Sequence, residues 1–443
     1  MTGGLLTDLY ELTMAASYLR RKMCAPATFS LYVRELPTER GFLVAAGIED
    51  ALDRLGALRF DAGELAYLAG LGFDEAALAA FAEFRFSGDV WAVPEGRVVY
   101  AREPLLEVTA PLPEAQLVET LVLNQVTFQT ALASKAARCR VAGAGRVELV
   151  EFGFRRTHGT EAAIAAAKVT GLVGFAGTSN VEAARRHGLQ PVGTMAHSYV
   201  EAFPREIDAF RAYARDLPGP VTFLVDTYDT MTGVARAIEV INEIDDEPGP
   251  PRPAAVRIDS GDLVALARQA RRALDAAGLS RVRILVSGGL DEHDVARLVR
   301  EGAPVDSVGI GTRIGVSADA PFLDTAYKLV EYAGRPAVKL SPGKASLPGA
   351  KQVFRTAGGR DVLALRSEPA PPGSGALLEP VMRGGRRVGA RESILAGRAR
   401  FEADLAHVPA AALALDGPVP PDPTLSDALA ALDARARASA GAS

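Results

Sequence analysis

The chain has 443 residues, of which 48% are hydrophobic and 23% charged, and its formal net charge is -5. That length allows a large core and two domains, and the balance is that of an ordinary water-soluble globular protein. The negative charge argues against a nucleic-acid partner, and the two cysteines, Cys24 and Cys139, supply neither a disulfide framework nor a metal-ligand spacing. Packing is the role expected of both. Asp8 and Glu11 interrupt the apolar character of the N-terminus, so no signal peptide is read, and no apolar run approaches the ~20 residues a membrane helix needs. A cytoplasmic enzyme without membrane contact is the expectation.

Thr7 is placed to cap a helix from Asp8 to about Arg21, with Glu11 in the first turn where a carboxylate suits the helix dipole. A strand near Thr28 to Val33 follows, then helical periodicity from Leu43 to Phe84, and short strands between Val90 and Thr109. Pro113 opens a long helical pattern that reaches about Arg140. From Val147 to about Val316 apolar runs alternate with helical segments. The predicted strands lie at Val147–Val150, Leu172–Phe175, Pro191–Met195, Val221–Val225, Ala255–Ile258, Arg283–Val286 and Val305–Gly309. The fold class is therefore α/β, with a β/α barrel that is either incomplete or has an eighth strand not recognised. After Ala320 extended runs return at Ala326–Tyr332 and Ala337–Leu340, and a helix closes the chain. The predicted organisation is an N-terminal α+β domain over 1–140, completed by 335–443, and a catalytic barrel over 141–334.

Each predicted barrel strand ends in residues able to bind or react, and catalytic groups in such barrels sit after the strands. Ser287-Gly288-Gly289 and Gly309-Ile310-Gly311-Thr312 follow the last two strands; small residues there let backbone N–H groups reach a phosphate near a helix N-terminus. Arg257-Ile258-Asp259-Ser260-Gly261-Asp262 offers a guanidinium, carboxylates and a hydroxyl, suited to ribose, magnesium or pyrophosphate, although such a run also caps helices. Phe152, Phe154, Arg155 and Arg156 could clamp a planar aromatic acid, the ring on phenylalanine and the carboxylate on arginine. Among five histidines, His197 alone follows a predicted strand with small and hydroxylated neighbours, and Asp226, at the next strand end, is expected to orient its ring. No HExxH, no Cys/His pairing and no P-loop is present. A Schiff-base aldolase would need a lysine at a strand end, and Lys168 falls in a predicted helix.

The motifs Thr7-Asp8-Leu9-Tyr10-Glu11-Leu12-Thr13-Met14, Phe152-Gly153-Phe154-Arg155-Arg156, Gly177-Thr178-Ser179-Asn180, Gly193-Thr194-Met195-Ala196-His197-Ser198, Asp226-Thr227-Tyr228-Asp229-Thr230, Arg257-Ile258-Asp259-Ser260-Gly261-Asp262 and Ser287-Gly288-Gly289 strongly resemble those of nicotinate phosphoribosyltransferases. The resemblance runs over roughly residues 5 to 355 and implies transfer of phosphoribosyl from 5-phosphoribosyl-1-pyrophosphate to nicotinate, with ATP hydrolysis coupled through a phosphohistidine. It implies His197 as the phosphorylated residue, held by Asp226, with magnesium and ATP required. It further implies that Phe152 stacks on the pyridine ring, that Arg155 meets its substituent, and that Tyr10 and Arg34 come from the neighbouring subunit of a homodimer. Thr178, Ser179, Arg257, Asp259 and Ser260 fall to the base and ribose in this scheme, Gly288, Gly289, Gly311 and Thr312 to the 5-phosphate, and Lys339 and Lys351 to further phosphates. Relatives that use nicotinamide carry an aspartate where this chain has Ser179, so the resemblance favours the acid; nicotinamide or quinolinate transfer, a phosphate-binding barrel lyase and an inactive ligand sensor are the alternatives.

Overall fold

The computed structural model describes residues 3–246, 248–341 and 344–441. The chain divides into two compact units, the first formed by the residues up to Ser134 together with those from Ala320 onward, the second by Lys135–Asp319. Both junctions fall earlier in the chain than the expected 140/141 and 334/335. The physical reason at the second is strand pairing, because the extended run after Ala320 pairs with the first strand of the chain. At the first, Lys135 and Arg138 form ion pairs with Glu292 and Asp319 of the second unit.

The first unit opens with the helix Leu9–Arg20, whose N-cap Asp8 makes no side-chain cap; the Thr7 hydroxyl goes to Glu11 instead, so the expected threonine cap is not formed. Strand β1 (Pro26–Val33), β2 (Leu43–Val44), β3 (Asp89–Ala92), β4 (Val98–Val99) and β5 (Pro104–Pro111) follow, with the helices Ile48–Ala57, Ala62–Gly70 and Glu75–Ala82 between β2 and β3. Asp61 and Asp74 cap the second and third of these by accepting backbone N–H groups, which is why short alanine-rich segments start cleanly there. The long helical pattern after Pro113 is broken once, into Leu112–Leu117 and Glu119–Gly143.

The second unit carries β6 (Glu148–Glu151), β7 (Gly177–Thr178), β8 (Val221–Leu224), β9 (Ala254–Ile258), β10 (Arg283–Val286) and β11 (Ser307–Ile310). They form one open parallel sheet in the order β7-β6-β11-β10-β9-β8, with helices on the connections. This is an incomplete β/α barrel. Two of the expected strands are corrected. The run Leu172–Phe175 lies at the end of the helix Thr160–Leu172, which stops before Gly174 at a φ of 94°, so the strand begins only at Gly177. Pro191–Met195 makes a single bridge, Thr178 to Pro191, because proline has no N–H to extend a ladder and Gly193 has no side chain to pack.

The chain then returns to the first unit with β12 (Thr325–Tyr332), β13 (Arg335–Pro336), β14 (Lys351–Thr356), β15 (Asp361–Leu365), β16 (Ser374–Ala376), β17 (Glu379–Arg383), β18 (Arg386–Arg387) and β19 (Thr424–Leu425). The seven-stranded sheet β13-β12-β1-β5-β3-β17-β18 thus interleaves both ends of the chain, and β16-β14-β15-β19 forms a smaller sheet. Ala337–Leu340, expected as a strand, is not one. Lys351 is buried against Glu107 and donates to the carbonyls of Leu347 and Gly349, so it is a structural cation and not a phosphate ligand. Cys139 is buried as expected, whereas Cys24 is exposed.

Candidate active site

The parallel register fixes where the chemistry falls. Glu151 stands level with Thr178 and Ile310, Val286 with Ile258, and Leu224 with Arg257. The residues that follow these positions consequently emerge along one edge of the sheet, its carboxyl edge.

Arg257 is the hub of that edge. Its guanidinium donates to the Ser287 hydroxyl at 2.8 Å, to the Thr194 hydroxyl at 2.9 Å and to Asp259 at 2.7 Å. It also lies over the Phe152 ring, 5.5 Å from the centroid. The cation that reaches this phenylalanine is therefore Arg257; Arg155 is exposed on the one-turn helix Phe154–Arg156. Asp259 accepts from Ser287 at 2.5 Å as well. Burial works against its charge, but the Ser287 hydroxyl and the Arg257 guanidinium outweigh burial and hold its carboxyl below the ordinary value.

His197 begins the short helix His197–Glu201 and is 41% exposed. Its Nδ1 lies 3.2 Å from the Thr227 hydroxyl, and its Nε2 faces the Asp259 carboxylate at 4.0 Å, beyond direct hydrogen-bond reach. The expected partner, Asp226, does not orient the ring in this structure. Its Oδ2 accepts the backbone N–H of Asp259 at 2.9 Å and the Ser260 hydroxyl at 2.6 Å, so this carboxylate folds the neighbouring loop instead. Its other oxygen, Oδ1, is buried with no hydrogen-bond partner. Ser260 is committed to Asp226, and Asp262 caps the helix Leu263–Ala276 through Val264 and Ala265, so the last carboxylate of that motif is a cap.

Thr178 is fully buried, donating to Glu151 at 2.6 Å and accepting from the Asn180 N–H at 3.0 Å. Its hydroxyl is thus taken up inside the fold and is not presented at the edge. Ser179 beside it, the first residue after β7, is half-buried. Gly288 and Gly289 have φ of 114° and 74°, and a Cβ on Gly288 would strike the Asp259 carbonyl. The helix after them, Glu292–Arg300, is capped by Asp291 and Asp294, so an anion here would be cradled by the glycine turn and not by that helix N-terminus. Gly311 admits the Phe152 carbonyl, which a Cβ would approach to 2.6 Å, and Thr312 opens a single helical turn. Tyr10 and Arg34 belong to the first unit: Tyr10 is exposed beside Glu119, and Arg34 is paired with Asp324.

The motifs that contain Thr194, Thr227 and Ser287 stand out in the sequence, but the roles of these three hydroxyls as partners of Arg257 and His197 do not. The available signal was position: Ser287 directly follows the apolar run that ends at Val286, Thr227 follows Val225 by two residues, and Thr194 lies near the end of the run Pro191–Met195. Among the described residues no cluster of three or more His, Cys, Asp or Glu could hold a metal ion by itself, and no helix is long and apolar enough to cross a membrane.

An open parallel sheet with charged and hydroxylated side chains and glycine turns gathered at its carboxyl edge defines an α/β-barrel enzyme. Residues 5–127 match the family model for the nicotinate phosphoribosyltransferase N-terminal domain, and residues 147–347 match the nicotinate phosphoribosyltransferase family. The chain is 48% identical over 391 residues to nicotinate phosphoribosyltransferase pncB2 of Mycobacterium tuberculosis, covering 87% of this chain and 83% of the relative. It is 40% identical over 361 residues to the nicotinate phosphoribosyltransferase of Bacillus subtilis, covering 80% and 73%. The crystal structure of human nicotinic acid phosphoribosyltransferase superposes with a TM-score of 0.87 at 29% identity, over 97% of this chain and 99% of that one. The chain belongs to the nicotinate phosphoribosyltransferase family.

Proposed function

We propose that this enzyme joins nicotinate to 5-phosphoribosyl-1-pyrophosphate, giving nicotinate mononucleotide and pyrophosphate for NAD salvage in the cytoplasm, with ATP hydrolysis coupled through phosphorylation of His197. The observation that carries the reading is the disposition of His197: Thr227 takes Nδ1, and the ring is half-exposed with Nε2 turned toward Asp259 on the same edge as Arg257 and Phe152. Nε2 is thus the nitrogen available to accept a phosphoryl group.

The pyridine nitrogen attacks the anomeric carbon of the ribose as the bond from that carbon to pyrophosphate breaks, through an oxocarbenium-like transition state. The ring nitrogen carries no proton to remove, so the chain supplies position and charge in place of a general base. Phe152 stacks on the base, Ser179 and Arg155 meet its carboxylate, and the Gly288-Gly289 and Gly311-Thr312 turns hold the 5-phosphate. Tyr10 and Arg34 of a partner subunit complete the site in a homodimer. Magnesium fits this scheme through the orphaned Asp226 Oδ1 and Asp259, because this ion commonly takes one or two carboxylates and fills the rest of its shell with phosphate and water. Bound there, it would neutralise charge on the leaving pyrophosphate.

The test is product formation by the purified protein with magnesium, 5-phosphoribosyl-1-pyrophosphate and nicotinate, nicotinamide or quinolinate, each with and without ATP. Nicotinate mononucleotide formed in step with ATP hydrolysis is expected. Preference for nicotinamide would overturn the reading of Ser179, and ATP-independent turnover of quinolinate would overturn the coupling.

A further inference from the structure

Two loops of the second unit are expected to meet the base, the Phe152–Arg155 turn and the Ser179 turn, and a single buried side chain ties them together. Glu151, the last residue of β6, is 2% exposed. Its Oε2 accepts the Thr178 hydroxyl at 2.6 Å, and its Oε1 accepts the backbone N–H of Gly153. Its own carbonyl accepts the backbone N–H of Ser179 at 2.9 Å. The Thr178 hydroxyl, having donated to Glu151, accepts the Asn180 N–H at 3.0 Å. Ser179 is therefore bracketed on both sides and through its own amide by contacts that converge on Glu151. Phe152 is bracketed likewise, between Glu151 and Gly153.

The space around the carboxylate is closed. A Cβ on Gly153 would lie 2.7 Å from Oε1 and 3.0 Å from the Gly311 carbonyl, so the carboxylate reaches its donor only because residue 153 has no side chain. A charge this deep is unfavourable unless each oxygen has a donor. Each has one, and the two donors come from different loops.

We propose that Glu151 is a positioning residue for base specificity: through Thr178 and Gly153 it sets the separation between the Phe152 ring and the Ser179 hydroxyl. The inference rests on the reading of those two residues as base contacts. The two hydrogen bonds of the carboxylate run to Thr178 and Gly153 and not to the Gly288-Gly289 or Gly311-Thr312 turns, so loosening the tie is expected to disturb the base and leave phosphoribosyl pyrophosphate in place. Burial pushes the Glu151 carboxyl up and the hydrogen bonds from Thr178 and Gly153 oppose that shift, so the tie demands an acceptor at both oxygens.

The experiment is steady-state kinetics of the full-length enzyme carrying Thr178→Val, Thr178→Ser or Glu151→Gln, with a thermal melt of each to verify folding. Thr178→Val removes the donor while keeping the shape. It is expected to raise the KM for nicotinate roughly ten-fold or more, as for loss of a hydrogen bond to a charged group, and to leave the KM for phosphoribosyl pyrophosphate within about two-fold. It is also expected to shrink the preference for nicotinate over nicotinamide. Thr178→Ser keeps the hydroxyl and should restore wild-type values. Glu151→Gln, which presents one acceptor and one donor, should fall between. Equal changes in both KM values, or a Thr178→Ser variant as impaired as Thr178→Val, would overturn the tie while leaving the overall function standing. A folded wild type that turns over no pyridine base would overturn both.

Discussion

His197 presents two different nitrogens to its surroundings, and the difference carries the first prediction. With Nδ1 beside Thr227, the ring has a fixed orientation, and its Nε2 lies in front of a carboxylate kept charged by Arg257 and Ser287. Replacing His197 with alanine removes the proposed phosphoryl acceptor but none of Phe152, Arg257 or the glycine turns. The variant is expected to form product at a reduced rate that no longer responds to ATP. An H197A enzyme that still hydrolyses ATP in step with product would contradict the assignment. At Ser179 the argument is charge. A hydroxyl can donate to the carboxylate of nicotinate, whereas a carboxylate would repel it. Ser179→Asp is expected to raise the KM for nicotinate by at least about ten-fold, the size of one lost charged hydrogen bond, without a matching change for phosphoribosyl pyrophosphate. Isotherms for each substrate, measured separately, decide it; equal loss of both would remove Ser179 from the base pocket.

Strand β11, which lies between β6 and β10 in the sheet, illustrates how an element can be shaped by a neighbour's side chain. A Cβ on Gly309 would sit 2.5 Å from the Phe152 ring, so the backbone there must be bare for the ring to keep its place 5.5 Å from the Arg257 guanidinium. Gly309→Ala is expected to destabilise by about 1–3 kcal/mol, the usual range for overpacking, and to weaken nicotinate binding because the ring must tilt. Denaturant melts together with the KM for nicotinate check both parts; a variant that loses neither would show that the ring has room to move. The helix Leu9–Arg20 poses a different question. Glu11 is fully buried in its first turn, with hydrogen bonds from Thr7 and from the side chain and N–H of Thr120. Burial outweighs those bonds and pushes its carboxyl from 4.5 up to about 7. A raised carboxyl binds its proton more tightly in the folded than in the unfolded chain. Its contribution is thus fully present below about pH 4.5 and is lost as pH rises through about 7. The melting temperature of Glu11→Gln minus that of the wild type should therefore increase between pH 5 and pH 8. A difference that does not change with pH would show that Glu11 is charged throughout that range.

Across the whole molecule, each unit buries a cluster in which cations and carboxylates are paired. In the second unit Lys135 and Arg138 meet Glu292 and Asp319, and all four side chains are less than a tenth exposed. Glu292 is also the first residue of the helix that follows the Gly288-Gly289 turn. Two cations balance two carboxylates there, so removal of one leaves an uncompensated buried charge. Lys135→Met is expected to cost about 3–5 kcal/mol, far more than loss of an exposed pair. Chemical denaturation of the variant measures it, and a cost under about 1 kcal/mol would mean that water reaches the cluster. In the first unit Glu107 is shared between Lys351 and Arg366 in the same manner, which explains why a lysine expected at phosphate lies in the core.

Most of the residues gathered at the candidate edge were legible in the sequence as residues after strands, because a β/α barrel places its chemistry there and the chain's polar clusters recur at that interval. Phe152, His197, Asp226, Arg257, Asp259 and the Gly288-Gly289 turn can all be picked out on that ground, as can the α/β class and the return of the C-terminal segment to the first unit. Pairing was not legible. Sequence spacing says that His197 and Asp226 lie at neighbouring strand ends, but the direction of each side chain depends on which donors surround it. Asp226 turns to the Asp259 N–H and the Ser260 hydroxyl, leaving the histidine to Thr227. Thr178 could not be told from Ser179 by composition, yet the two-residue period of a strand end sends one inward to Glu151 and leaves the other half-exposed. The order of apolar and polar residues along the chain determined the class of fold and the edge where its chemistry gathers. Which oxygen meets which donor was decided only when the strands closed on one another, because hydrogen bonds between distant residues depend on ångström separations that no one-dimensional pattern contains.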